Sequence, residues 1–267
     1  MEPEGLHGTS RMTGLPDDEY YRQYIEVARS HWWFRGREQV VATVARPLVQ
    51  VPPGGLVVDV GSGPGGPTRT IFPARRIVAL DLSARVLHAY PGADGCVVAD
   101  AARLPCRPGS VAVVCAFDVL EHLDDDAMAL REWQRALTSG GWLVVTVPAY
   151  RQLWSAHDEL NHHRRRYTAS ALRRLLFRAG FDVARLTYFN TLLLPGVALV
   201  RWMERFRGSS RVTRGELDCQ RQLPAWLVRC CEGALWVEAT WLRRHVLPVG
   251  VSICAVARVS AANRIRC

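Results

Sequence analysis

LVVDVGSGPGG, residues 56–66, is an apolar β-branched run that meets an acid and then breaks into glycines. Such a run is typical of a buried strand, and the glycines allow a tight turn whose backbone approaches a ligand closely. They are Gly61, Gly63, Gly65 and Gly66. The first, second and fourth have the spacing of a dinucleotide turn, whereas the first three, with Asp59 ahead of them, fit another kind of cofactor turn. The stretch therefore predicts a nucleotide-type site without selecting its ligand.

Short β-branched runs alternate with helical stretches from Val51 onward. The predicted strands are Leu56–Val60, Ile77–Leu80, Gly95–Val98, Val111–Phe117 and Trp142–Val147, followed by FDVARLTYF and a last strand, Gly250–Val259. Between them, TASALRRLLFRAGF reads as a helix with Thr168 as its N-cap and Gly180 as its end. Strands that alternate with helices predict an α/β fold with a parallel sheet covered on both faces.

Composition shifts divide the chain into four parts. We predict an N-terminal helical cap over residues 1–50, a core over 51–190, a helical insertion over 191–247, and a last strand with a tail over 248–267. The insertion mixes tryptophan with arginine: Trp202, Trp226, Trp236 and Trp241 stand among Arg201, Arg205, Arg207, Arg229, Arg243 and Arg244. This mixture suits a lid, a contact with a membrane surface, a homodimer contact, or plain packing on the core.

The chain of 267 residues carries a formal net charge of +9, and all of its 34 basic residues are arginine. Such a charge favours anionic partners, although it is also compatible with simple solubility. No nucleic-acid-binding motif accompanies it, so we expect no nucleic-acid partner.

Cysteine usage and the N-terminal residues bear on location. The eight cysteines show no CxxC pair, which argues against a metal site and against disulfides, and we expect no metal. The start, MEPEGLHGTS, lacks the cationic and apolar regions of a secretory signal, and no apolar run reaches the length of a membrane span. We therefore expect a cytoplasmic protein, with contact at the inner membrane face as the alternative.

Acids follow the predicted strands at the edge where such sheets bind ligands. Asp81 ends the second strand, where a carboxylate can accept both ribose hydroxyls of a nucleotide. Asp100, in VADAARLP, can accept from an adenine amino group. Asp59 before the glycines would repel a pyrophosphate and favours a ligand with a cationic tail. AFDVLEHL, residues 116–123, adds an aromatic residue, an acid and a histidine after the fourth strand.

As a set, these motifs resemble those of the class I S-adenosylmethionine-dependent methyltransferases. The resemblance is closest to a bacterial small-molecule group whose lead helix carries HWWF-x-x-R, here HWWFRGRE at residues 31–38. LTSGGWLVVTVPAY, HDELNHHRRRYT and RAGFDV also resemble that family. The resemblance implies a doubly wound, seven-stranded Rossmann-like sheet with an antiparallel last strand, and S-adenosyl-L-methionine as cofactor.

By the same resemblance, the cofactor lies across the glycine turn. Its binding residues would be Gly61, Ser62, Gly63 and Gly65 through the turn, Asp59 toward the cofactor's amino group, directly or through water, Asp81 at the ribose with Leu82 next to it, Asp100 and Ala101 at the adenine, Phe117 and His122 at the methionine side, and Trp33 and Arg37 from the lead helix. Trp33 would cover the cofactor and Arg37 would approach its carboxylate. Simple burial of apolar area by the lead helix is the alternative.

The segment SAHDELNHHRRRY supplies the candidate catalytic residues. We rank His163 first as a base or acceptor-orienting group, because it begins the H-x-R-R-Y pattern of the resembled family, and we add His157, Asp158 and Tyr167. Alternatively, these residues form a structural network that closes the site. Arg164, Arg165 and Arg166 could clamp an anionic acceptor.

The sequence thus predicts an enzyme, a transferase that methylates a small-molecule or lipid-like acceptor in secondary-metabolite or glycoconjugate biosynthesis. The acceptor could be anionic or apolar. Two alternatives stay open: a cyclase or lyase of the same fold that retains the cofactor, and a non-catalytic cofactor-binding partner protein.

Overall fold

A computed structural model describes residues 22, 25–28, 31–207 and 224–260 of the chain, and a seven-stranded sheet lies at its centre. The strands are β1 (Val57–Val60), β2 (Ile77–Asp81), β3 (Gly95–Val98), β4 (Val111–Phe117), β5 (Leu137–Pro148), β6 (Phe181–Phe189) and β7 (Ser252–Val259). Their order is β3-β2-β1-β4-β5-β7-β6. Pairing is parallel from β3 through β5, and β7 is antiparallel to both β5 and β6. The predicted fold class is confirmed.

Helices cover both faces of this sheet. They are α1 (Trp32–Ala45), α2 (Pro67–Ile71), α3 (Ala84–His88), α4 (Asp126–Ala136), α5 (Ala156–Leu160), α6 (Ala169–Arg178), α7 (Leu194–Arg207) and α8 (Ala225–Trp241), with 3-10 turns at Leu120–His122 and Arg151–Leu153. Trp133 of α4 and Leu172 of α6 belong to the buried cluster on one face, and Val41 of α1 and Ala239 of α8 to the cluster on the other.

The chain order reverses between β1 and β4. The chain runs outward from β1 to β3 and then returns to place β4 on the other side of β1. In open α/β sheets a crevice forms at such a reversal, outside the carboxyl ends of the strands. The loops after β1, β2 and β4 therefore meet at one edge, and this edge positions the candidate site.

Most predicted boundaries agree with the structure to within two residues. β5 is the exception, because it begins at Leu137 rather than at Trp142. Leu137 already pairs with Val111, and the register shifts before Trp142 pairs with Val113, so an irregularity lies inside one strand. The Thr168 side chain caps α6 by accepting from the Ala171 N–H, and Gly180 follows that helix with φ of 88°, as predicted.

The lead helix packs on the second helix of the insertion. A β-carbon at Gly36 of α1 would stand only 2.1 Å from Leu235 Cδ1 of α8, so these helices touch where residue 36 has no side chain. Arg35 of α1 also pairs with Glu232 of α8 at 2.7 Å. The earlier part of the predicted lead region, up to residue 30, falls largely outside the described residues.

The predicted insertion is helical where the structure describes it, with residues 208–223 outside the description. Beside the apolar packing of Ala239, its attachment to the core has a polar part: the buried Glu238 carboxylate accepts from the backbone N–H groups of Asn190, Thr191 and Leu192. Burial raises the pKa of Glu238, and these hydrogen bonds oppose that rise.

Among the described residues, none of the helices has the length and apolar character needed to cross a membrane.

We predict that Glu238→Gln lowers the free energy of unfolding by about 1–3 kcal/mol, because an amide nitrogen would face buried N–H groups. Urea unfolding measures this change. Glu232→Gln on the same helix is the matched control, since its side chain is 40% exposed. A loss of less than about 1 kcal/mol is expected there. Equal losses in the two variants would contradict the assigned role of Glu238.

Candidate active site at the carboxyl edge of the sheet

The glycine turn after β1 adopts backbone angles that favour glycine. Gly61, Gly63 and Gly65 have φ values of 60°, 54° and 98°. A β-carbon on Gly61 would come within 2.6 Å of Val119 Cγ2, and one on Gly65 within 2.7 Å of the Tyr90 ring. The turn therefore needs glycine both for its conformation and for the space its neighbours occupy.

Asp81 joins this turn to the end of β2. Its Oδ2 accepts from the Gly63 N–H at 2.9 Å, and its Oδ1 accepts from the Ser83 N–H at 2.9 Å. The Ser62 N–H donates in turn to the Leu80 carbonyl. Because a carboxylate oxygen can accept more than one hydrogen bond, Asp81 keeps capacity for two ribose hydroxyls. Burial raises its pKa, and the backbone donors counteract that effect. The arrangement fits an adenosine ribose.

The predicted adenine side lies beyond Asp81. Asp100 is exposed after β3, and its Oδ1 accepts from the Ala102 N–H at 2.8 Å, which fixes the carboxylate in a turn. Ala101 is anchored there because its carbonyl accepts from Trp133 Nε1 at 2.8 Å. Leu82 is 43% exposed. Leu82 and Ala101 offer an apolar surface, and the Asp100 carboxylate can accept a hydrogen bond. An adenine ring with its amino group needs this combination.

Asp59 lies beneath the turn and not at an open entrance. It is 2% exposed, and the Tyr90 hydroxyl donates to its Oδ2 at 3.1 Å. Burial raises its pKa to about 7, against the opposing hydrogen bonds of Thr68 and Tyr90. The exposed anion that the sequence suggested at this position is thus a buried carboxylate under the glycines, and direct contact between Asp59 and a cofactor stays a prediction.

The lead helix reaches the site through Arg37. This buried guanidinium forms an ion pair with Asp118, at the end of β4, and lies 5.1 Å from the centroid of the Trp33 ring. It also borders the glycine turn, since a β-carbon on Gly66 would lie 4.0 Å from an Arg37 terminal nitrogen. Thr146 Oγ1 donates to the second Asp118 oxygen at 3.0 Å. Arg37 therefore lies beside the turn with half-buried Trp33 next to it, and contact of either residue with a cofactor stays a prediction.

The loop after β4 brings an acid and a histidine to a second histidine from the loop after α5. We call Glu121, His122 and His163 the acid–histidine cluster. The rings of His122 and His163 meet edge to face, with their centroids 4.7 Å apart. Glu121 is fully buried, and burial together with the Asp118 charge raises its pKa well above the usual range. Phe117 lies half-buried at the end of β4, four residues before Glu121.

Asp158 holds His163 in place. The His163 Nδ1 lies 2.8 Å from Asp158 Oδ1, and Arg166 donates to both carboxylate oxygens. Burial opposes ionisation of Asp158, but the hydrogen bonds from His163 and Arg166 outweigh it and keep its pKa well below the usual range. His163, Asp158 and Arg166 thus form a network, as in the structural alternative stated for this segment, and a catalytic role for them stays a prediction. The His157 ring lies 6.2 Å from the His163 ring.

Tyr167 and two of the three arginines are not brought into this cluster. The buried Tyr167 hydroxyl donates to Asp126 at 2.8 Å, toward the start of α4, so it contributes a structural contact. Arg164 pairs with Asp124, and Arg165 donates to the Leu123 and Asp124 carbonyls. These arginines tie the loop to the turn after β4, in place of the anion clamp that the sequence suggested. Arg166 is occupied by Asp158.

Two residues of the site were not among the candidates, namely Asp118 and Glu121. Both belong to the quoted AFDVLEHL stretch, and the place of this stretch after a strand was a usable signal. Their partners were not predictable, because Arg37 is 81 positions from Asp118 in the chain. Asp118 also has a positive φ of 56°, which sequence patterns do not reveal for a residue other than glycine.

The raised pKa of Asp59 generates a prediction about stability. A folded-state pKa of about 7, above the ordinary 3.8, means that the folded protein binds this proton more tightly than the unfolded chain does. The contribution of Asp59 to stability is therefore fully present at low pH and is lost as the pH rises toward 7. Relative to Asp59→Asn, the parent protein should lose on the order of 3 kcal/mol between pH 5 and pH 8.

Urea unfolding of both proteins at the two pH values measures this difference. The Asn variant keeps an acceptor for the Tyr90 hydroxyl, so packing is nearly unchanged. A difference in unfolding free energy that is equal at pH 5 and pH 8 would show that Asp59 does not hold a proton in the folded state.

Part of this site lies in a stretch of the chain that matches a known family of domains. Residues 58–145 match the model of a methyltransferase domain. A Mycolicibacterium smegmatis protein named "probable S-adenosylmethionine-dependent methyltransferase" is 35% identical over 164 residues, which cover 59% of this chain and 62% of that protein. The chain spans about three fifths of the length of the curated relatives that it matches first.

Solved structures show the same fold at low sequence identity. The protein solved in complex with the Haloferax volcanii Trm112 methyltransferase activator has a TM-score of 0.58 and 18% identity, covering 92% of this chain and 100% of that one. The cyclase SpnF has a TM-score of 0.54 and 18% identity, covering 87% and 84%. Residues 58–145 thus match a methyltransferase domain, and the curated relatives that share this region are named as S-adenosylmethionine-dependent methyltransferases.

Proposed function

We propose that the protein transfers a methyl group from S-adenosylmethionine to a small-molecule or lipid-like acceptor in a bacterial biosynthetic pathway, such as that of a secondary metabolite or a glycoconjugate. The observation that carries this proposal is the Asp81 carboxylate, held by two backbone N–H groups beside a turn that requires glycine. The acid–histidine cluster lies at the same edge of the sheet and supports an acceptor site there.

When bound, S-adenosylmethionine supplies a methyl group on a sulfonium, already activated for displacement. The chain then chiefly has to align the acceptor and to manage its proton. We assign the ribose to Asp81 and the adenine to Asp100 with Ala101. Arg37 is oriented by Asp118 and can meet the cofactor carboxylate, while Trp33 covers it.

His163 is the residue we propose as general base. The Asp158 carboxylate at its Nδ1 fixes the ring and favours a proton on that nitrogen, which leaves the other nitrogen to accept a proton from an acceptor hydroxyl or amine. His122 packs against the ring edge to face and restricts its rotation. His157 and its neighbour Asn161 close the same side of the site.

Transfer of an isotope label tests the function. The protein is incubated with S-adenosylmethionine carrying a deuterated methyl group and with fractions of a bacterial small-molecule extract. We expect a product that carries the label, together with S-adenosylhomocysteine. An unlabelled product isomeric with its substrate would indicate the cyclase alternative, and S-adenosylmethionine that binds without turnover would indicate a non-catalytic partner protein.

The variant for this test is Asp81→Asn, which loses one ribose acceptor. Calorimetry should show that its affinity for S-adenosylhomocysteine falls at least tenfold, and label transfer should fall with it. Asp182→Asn, an exposed change on β6, is the matched control and should behave like the parent protein. Unchanged affinity in Asp81→Asn would refute the ribose assignment.

We also propose a cytoplasmic location with contact between the insertion and an acidic membrane surface. Four tryptophans of α7 and α8 are more than half exposed: Trp202, Trp226, Trp236 and Trp241. Arg229, Arg243 and Arg244 are exposed around them. Indole rings suit the interface between water and lipid, and arginines suit anionic headgroups. The described cysteines are unpaired, which supports a reducing compartment.

Flotation with phosphatidylcholine vesicles tests the membrane contact. Addition of phosphatidylglycerol should increase the bound fraction, and the double change Trp226→Ser and Trp236→Ser should decrease it several-fold. Phe177→Ser on α6 is the control, because that ring is 72% exposed on another part of the molecule. Equal flotation of both variants would refute the contact, and dimerisation lost only in the double variant would assign the surface to a second copy.

A further inference from the structure

Glu121 is a buried carboxylate whose charge has no counterpart among the described residues. It is fully buried, and neither of its oxygens has a hydrogen-bond partner there. The two acids that border this cluster are already matched, since Asp118 pairs with Arg37 and Asp158 with Arg166. Burying a carboxyl group without hydrogen bonds is costly in either protonation state. Such a group is explained if its partner comes from outside the chain.

Two imidazoles stand where that partner would sit. One ligand atom each from Glu121, His122 and His163 lie within 4.8 Å of one another. With metal–ligand bonds of about 2.1 Å, a tetrahedral ion holds its ligand atoms roughly 3.4 Å apart. Side-chain rotations that move these atoms by about 1 Å would therefore bring them to coordination distance. Carboxylate and imidazole are the ligands that zinc and neighbouring divalent metals accept.

Each histidine also has a second contact that orients its ring. His163 is held at Nδ1 by Asp158, and His122 forms a hydrogen bond with the backbone of Asn161. In metal sites the nitrogen that does not bind the metal usually donates to a carboxylate or a backbone carbonyl, which fixes the tautomer and the ring. Asp158 is itself fixed by Arg166 and by the Ser155 N–H. The surroundings of the cluster thus have the organisation of a metal site.

We propose that Glu121, His122 and His163 bind a divalent transition-metal ion of the Zn²⁺ class, with a coordination position left for an oxygen of the acceptor. In the metal-bound protein His163 is a ligand and no longer a base, and the ion itself would lower the pKa of the acceptor hydroxyl. A dication suits this cluster better than an ammonium group because two of the three ligands are neutral imidazoles. The cysteine pattern gave no sign of this site because none of its ligands is a cysteine. The ligands also come from two loops 41 positions apart, so no local motif unites them. Metal binding stands independently of methyl transfer, whereas the acceptor position rests on the proposed function.

Cobalt(II) is the probe, because its visible absorption reports four-coordinate nitrogen and oxygen ligands. The full chain is treated with a chelator, freed of it and titrated with Co²⁺, and Zn²⁺ affinity is then measured by calorimetry. We expect one ion per chain. Addition of azide should change the Co²⁺ spectrum by filling the open position. Glu121→Gln and His163→Asn should each weaken Zn²⁺ binding at least tenfold.

His162→Asn is the matched control, since His162 is exposed and adjacent to His163, and it should bind Zn²⁺ like the parent protein. Circular dichroism and urea unfolding show whether each variant folds. The proposal is overturned if the parent protein does not bind Co²⁺, if both cluster variants bind Zn²⁺ normally, or if methylammonium binds in place of the metal. Label transfer by a protein that binds no metal would overturn this inference alone, and metal binding without label transfer would overturn only the proposed function.

Discussion

The rest of the site depends on one interaction, in which the Asp81 carboxylate accepts hydrogen bonds from two backbone N–H groups. The Gly63 N–H comes from the loop after β1 and the Ser83 N–H from the loop after β2, so one side chain joins two loops. The glycines keep this junction compact, because any side chain at Gly61 would collide with Val119. Since Val119 belongs to the loop after β4, the same junction fixes where that loop, and the acids in it, can lie.

Charge pairing organises the other half of the site. The buried ion pair of Arg37 with Asp118 joins positions 81 apart at one edge of the sheet. The buried pair of Arg166 with Asp158 is local, and Arg166 also donates to the Ala149 carbonyl just after β5. Buried pairs of this kind contribute little net stability, but they constrain position strongly. Separating the partners would leave an unpaired charge in the protein interior. Their function here is to hold the lead helix and the loop after α5 against the strand ends.

Much of the fold was predictable from local patterns, and the site only in part. Runs such as Val111–Phe117 carry their strand character in their own composition, and Thr168 shows its capping role within one helical turn. The burial of Asp59 under Tyr90, by contrast, depends on residues 31 positions apart. The Asp126 partner of Tyr167 was not predictable for the same reason: a motif places a residue in a loop, but packing decides which way its side chain points. The start of β5 escaped prediction because Gly140 and Gly141 lie inside the strand, and Gly140 has a positive φ of 72° there.

The close approach of α1 and α8 at Gly36 has a mechanical consequence. On α1, Gly36 directly precedes Arg37, which lies beside the glycine turn. On α8, Leu235 directly precedes the exposed Trp236. Tightly packed helices transmit displacement rather than absorb it. A shift of α8 against α1 at this contact would therefore move the backbone next to the Arg37 guanidinium, which lies beside the glycine turn.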